Sequence, residues 1–119
     1  MYVYLLLSKN YDVFKIGKTI NPKVRIKRLA KSFDYAFSGS WVIECDSEDK
    51  AVIIEGRLQS MFSEWNIENM PRIEGYTEFY DSSCFDLVLS SLITPECDFI
   101  EGVEQMYPLE SINDLPPWA

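Results

Sequence analysis

The chain opens on an apolar run, Tyr2-Val3-Tyr4-Leu5-Leu6-Leu7, which breaks at the polar Ser8-Lys9-Asn10-Tyr11 and resumes as a second β-rich stretch over 12–18. Two short runs of this kind, joined by four polar residues, predict an antiparallel hairpin. Asn21-Pro22 then supplies an N-cap and a first-turn proline, and Ile26, Leu29, Ala30 and Phe33 follow at helical spacing, so a first helix is predicted over 22–33. Trp41-Val42-Ile43-Glu44-Cys45 is a third strand. Asp46-Ser47-Glu48-Asp49 gives a cap and an acidic first turn to a second, longer helix that reaches Trp65. Residues 69–75 break the periodicity, 76–80 look extended, and Asp81 or Ser83 caps a third helix through Ile93. The predicted class is α/β in the α+β sense: a small three-stranded antiparallel sheet flanked by helices.

A chain of 119 residues suits one domain of ordinary size, here residues 1–93, followed by an acidic extension over 94–119. Pro108, Pro116 and Pro117 and scattered anchors such as Met106 and Tyr107 make that extension a tail laid on the domain and not a second domain. The opening apolar run is too short to span a bilayer and has no basic leader, so a cytoplasmic protein with no membrane partner is expected. Cys45, Cys84 and Cys97 are odd in number and widely spaced in a chain without histidine, a pattern of reduced structural thiols and not of a zinc site.

Charge changes the picture. The net charge of −8 argues against nucleic acid as a partner until its distribution is considered. Residues 1–32 hold eight cations (Lys9, Lys15, Lys18, Lys23, Arg25, Lys27, Arg28, Lys31) against Asp12 alone, a balance of +7. The remaining residues hold three cations against 18 acids, a balance of −15. This asymmetry fits a basic working face on an acidic body, and equally a solvated helix whose lysines serve only solubility. The acidic tail has the same two readings, a strap over the basic first helix or hairpin and a solvated extension.

Two ionisable residues stand out by helical position. In the second helix Ala51, Ile54, Leu58, Met61, Phe62 and Trp65 form one apolar stripe, and Glu55 projects within its edge. A carboxylate there must be paired, protonated or bound to a metal, and an internal salt bridge to an arginine competes with the metal reading. Gln59, one turn on, borders it. In the first helix Arg25 flanks the core stripe, where it either delivers its planar fork to a phosphate or snorkels over helix–sheet packing. Lys23, Lys27, Arg28 and Lys31 point elsewhere, toward solvent or a ligand.

These residues together resemble the GIY-YIG nuclease superfamily. Tyr2-Val3-Tyr4 stands at the Gly-Ile-Tyr strand, Lys15-Ile16-Gly17 at the Tyr-Ile-Gly motif, Arg25 at the helix arginine and Glu55 at the metal-binding glutamate. Gly75-Tyr76-Thr77-Glu78-Phe79-Tyr80 is similar to the closing segment of a viral and bacterial branch that carries Lys-Ile-Gly. The departures are Tyr2 for the first glycine, Lys15 for the second motif tyrosine, Gln59 where that branch often has histidine, and no evident counterpart of the family's late active-site asparagine. The resemblance implies a divalent-metal-dependent DNA endonuclease. In it Tyr4 accepts a proton from the attacking water, while Arg25 and Lys15 neutralise charge on the phosphorane. Glu55 holds one Mg²⁺ or Mn²⁺. Lys18, Lys23, Lys27, Arg28 and Lys31 bind DNA, and Gly17 either lets substrate or helix approach the strand or marks a β-bulge.

Two other classes compete with a nuclease. One is a binding module of the same fold that cleaves weakly or not at all, such as a viral or mobile-element protein engaging a host defence or DNA-processing complex. The other is an acidic mimic of DNA, which the +7 segment fits poorly. No separate DNA-reading module is visible, so high sequence specificity would require a protein partner or a homodimer.

Overall fold

In the computed structural model, residues 1–9, 11–31, 34–36, 39–67, 79–93 and 103–109 are described. Strand β1 (Tyr2–Leu7) and strand β2 (Val13–Thr19) form the expected hairpin, with Tyr2 opposite Thr19, Tyr4 opposite Gly17 and Leu6 opposite Lys15. Helix α1 (Pro22–Leu29) follows, its first turn capped by the Asn21 side chain, which accepts a hydrogen bond from Val24 N. Strand β3 (Trp41–Cys45) pairs with the other side of β1. Helix α2 (Glu48–Met61) is capped by Ser47 and continues through a 3-10 turn over Ser63–Trp65.

Strand β4 (Phe79–Asp81) pairs with β2, a 3-10 turn over Ser82–Cys84 leads into helix α3 (Phe85–Ile93), and strand β5 (Val103–Pro108) pairs with β3. The result is an α+β fold around an antiparallel sheet ordered β4-β2-β1-β3-β5. The sheet has five strands where the sequence pattern predicts three. The two additions lie at its edges, and β5 is drawn from the segment expected to be a tail. An edge strand is held by main-chain pairing as much as by its own pattern, so its apolar signal is weak.

β1 lies at the centre of the sheet with both faces covered, which explains an opening run that is apolar without alternation. On one face Tyr2, Tyr4, Leu6, Val13, Val42 and Phe79 meet Ile26 and Leu29 of α1 together with Leu109. On the other face Val3, Leu5, Phe14, Ile16 and Ile43 meet Ala51, Ile54, Leu58 and Phe62 of α2 and Phe85, Val88 and Leu92 of α3. Helix α1 is shorter than predicted: Ala30 is its C-cap and exposed, while Phe33 lies outside the described residues. Met61, expected on the α2 stripe, is exposed.

Cys45 and Cys84 are free buried thiols, each pushed up to about 11 by burial. Cys97 lies outside the described residues. Among the described residues no helix is long and apolar enough to cross a membrane.

Candidate active site

The hairpin register places the motif residues first. Residues directly opposite on neighbouring strands share a face, so Tyr4, Gly17, Leu6 and Lys15 all look toward α1, and Phe79 joins them opposite Lys15. Gly17 owes its identity to Tyr4. A Cβ at position 17 would fall inside the van der Waals envelope of Tyr4 Oη and Cζ, and 2.7 Å from Cε1. The hydroxyl end of the Tyr4 ring occupies the space that a side chain at position 17 would need. Of the two expectations for Gly17, close approach is the one observed, but what approaches is Tyr4 itself and not a helix. No bulge interrupts the β1–β2 register.

Lys15 sits on the same face and is fully buried, with its Nζ 5.3 Å from the centroid of the Phe79 ring. A buried ammonium is costly unless its charge is met, and an aromatic face is one of the groups that meets it here. In this conformation Lys15 does not reach solvent, whereas direct contact with a phosphate requires exposure. Tyr4 is also buried, at 1 % exposure. Phe79 completes this layer from outside the hairpin and helix motifs. The adjacent aromatics Phe79-Tyr80 carried the only signal, since two consecutive strand residues must face opposite ways and one of them has to enter the α1 face.

Arg25 is half-buried on α1, whose Ile26 and Leu29 pack onto this face. Arg25 therefore belongs to the same layer as Tyr4, Lys15 and Gly17. Lys23 is half-buried, and Lys27, Arg28 and Lys31 are exposed along or just beyond the same helix.

Glu55 and Lys18 belong to the other layer. Lys18 pairs across the hairpin with Val3, which packs against α2, so it lies on the α2 side of the sheet. There its Nζ lies 3.5 Å from Glu55 Oε1, with side-chain exposures of 39 % and 13 %. The carboxylate on the stripe edge is thus paired, as its position requires, but with a lysine and not an arginine. The pair joins α2 to the last residues of β2, one position beyond Gly17. Lys18, expected to bind DNA, is engaged with Glu55. Gln59 is half-buried one turn further along α2. Among the described residues no three acidic, cysteine or histidine side chains cluster as a ready-made metal cage.

A small α+β domain whose first hairpin and helix hold a tyrosine over a glycine, a buried lysine and a flanking arginine is the class that fold and site define. Across residues 1–91 the chain matches the T5orf172 domain, and it belongs to that family. No curated protein and no solved structure matches it in the same comparisons.

Proposed function

We propose that this protein is a DNA endonuclease of the GIY-YIG type that hydrolyses phosphodiester bonds with one divalent metal ion. The observation that carries the reading is the Tyr4–Gly17 pair, a phenol packed across a strand glycine in the layer beneath the helix that carries Arg25. A hydroxyl used in catalysis needs a fixed orientation, and a glycine that admits the ring provides one. Membership of a domain family found in nuclease-like proteins of phages and bacteria supports the same reading, as does the cationic surface of α1 over this layer.

Each residue then has a task. Tyr4 takes the proton of the attacking water, and Arg25 offers a planar guanidinium to the phosphate. Lys15 sets the positive potential beneath Tyr4 from its buried place beside Phe79.

Glu55 suits a hydrated Mg²⁺ or Mn²⁺, because its single carboxylate is partly exposed and already attracts a cation, the ammonium of Lys18. When bound, such an ion supplies charge stabilisation at the departing oxygen. Lys18 would have to share or yield its place on Glu55.

A second reading has its own support. Burial of Tyr4 and Lys15, and the placement of Glu55 on the opposite side of the sheet, favour a module that binds DNA and cleaves it weakly.

Purified protein on supercoiled, linear and branched DNA, with Mg²⁺ or Mn²⁺, separates the two. Cleavage is expected to be lost in Arg25→Ala and Glu55→Gln, each by about 10²-fold or more, with the unfolding midpoint little changed. Wild-type turnover in Glu55→Gln would remove the metal assignment. Binding without cleavage by the wild-type chain would establish the second reading.

A further inference from the structure

The two most exposed large apolar side chains in the described structure, Ile20 at 67 % and Val24 at 62 %, lie four residues apart in the chain where β2 hands over to α1. Their exposure has a local cause. Asn21 is the N-cap of α1, so Ile20 holds the preceding position, whose usual apolar partner is the fourth helical residue. That residue is Arg25, and Ile20 has no hydrophobic side chain there to close against. The connection is tied locally: the Thr19 hydroxyl donates to Asn21 O at 3.3 Å and accepts from Asn21 N at 3.1 Å, with Ile20 at the apex of the turn. Val24 lies one turn up the outward side of the helix, and the exposed cations Lys27, Arg28 and Lys31 continue that side.

An apolar pair at one end of a cationic stripe matches the chemistry of a duplex whose stacking is opened. Phosphates meet the cations, and the apolar side chains enter a base step, where aromatic faces replace water. An uncharged membrane or an apolar protein groove would satisfy Ile20 and Val24 but offers Lys27 and Lys31 no anionic partner. An anionic bilayer, which would meet both, is the alternative that binding to DNA probes tests.

We propose that Ile20 and Val24 form a wedge that inserts at an unstacked base step, so that the preferred ligand is duplex DNA with a bulge, mismatch or junction rather than regular duplex. This rests on the DNA-binding part of the function proposed above and names the substrate class for that surface.

The test uses the full chain in EDTA, so that binding is read without cleavage. The probes are a duplex with one unpaired base beside 2-aminopurine and the same duplex fully paired. Wild-type protein is expected to bind the bulged probe roughly tenfold more tightly and to raise 2-aminopurine emission, because opening a step is cheapest where pairing is already broken. Ile20→Ser with Val24→Ser should bring the two affinities within about twofold and abolish the emission change, with the salt dependence for paired duplex retained. Ile20→Leu should behave as wild type, which shows that apolar bulk is what matters. Equal, salt-sensitive binding of both probes with silent 2-aminopurine overturns the wedge and leaves the DNA reading intact. A preference that survives in the serine variant also overturns it. Failure to bind either probe at low salt overturns both.

Discussion

At the scale of single residues, the contact between Tyr4 and Gly17 makes a sharp energetic demand. A methyl group at position 17 has no room while the ring is in place, so Gly17→Ala should destabilise the fold by about 1–3 kcal/mol through overpacking. In a Tyr4→Ala background the obstruction is gone, and the same substitution should be neutral or slightly stabilising, since alanine costs less chain entropy than glycine in a strand. A double-mutant cycle of unfolding free energies measures this, and a cost for Gly17→Ala that is the same in both backgrounds would show that something other than Tyr4 occupies the space. The glycine was legible in the sequence as a position needing close approach, but the approaching group was not. Cross-strand register decides that, and register emerges only when the hairpin closes. Lys15 was harder still. Its motif position identified it, yet nothing local shows that a lysine between Phe14 and Ile16 points into an aromatic layer completed by Phe79, more than sixty residues away.

At the scale of elements, helices and central strands are visible because burial on one or both faces imposes a period, whereas of the edge strands β4 shows only as an extended stretch over 76–80 and β5 not at all. The stretch from Val103 to Pro108 reads as acidic and proline-bounded, and its strand character comes from pairing with β3, including Met106 opposite Ile43 and Tyr107 opposite Val42. The residue after β5, Leu109, is fully buried in the cluster that holds Ile26 and Leu29 of α1, and its backbone N–H donates to Ser40 O at 2.8 Å. The extension therefore supports the helix that carries Arg25 in addition to completing the sheet. Leu109→Ala should cost about 2–5 kcal/mol, the range for truncating a fully buried leucine. Removing the chain from Val103 onward should lower the thermal midpoint by roughly 10 °C or more and expose the β3 edge to aggregation. A truncated protein with an unchanged midpoint would mean that β5 and Leu109 contribute nothing to the domain. The acidic composition of the extension hides this packing, which rests on a few apolar anchors such as Met106, Tyr107 and Leu109.

At the scale of the whole molecule, the sheet separates two electrically different sides. Among the described residues, the α1 side presents Lys27, Arg28 and Lys31, whereas α2, the turn after it and α3 present Glu48, Asp49, Glu64 and Asp86 with Arg57 among them. A net charge of −8 therefore does not forbid binding to a polyanion: the field near α1 is local, and beyond about 10 Å of screened solvent the acidic side contributes little at ordinary ionic strength. If DNA approaches the α1 side, about four cations (Lys23, Lys27, Arg28 and Lys31) displace counterions, and the logarithm of affinity should fall with the logarithm of salt with a slope of about −3 to −4. Raising salt from about 50 to 200 mM should then weaken binding on the order of a hundredfold. Lys27→Gln with Lys31→Gln should bring the slope to about −2, because each lost phosphate contact removes close to one unit. Glu48→Gln with Asp49→Asn, which neutralises two acids at the start of α2, should shift affinity slightly and leave the slope unchanged. Fluorescence anisotropy of a labelled duplex over a salt series distinguishes the two pairs of variants. A slope that responds to the α2 acids and not to the α1 lysines would overturn the α1 surface as the binding face.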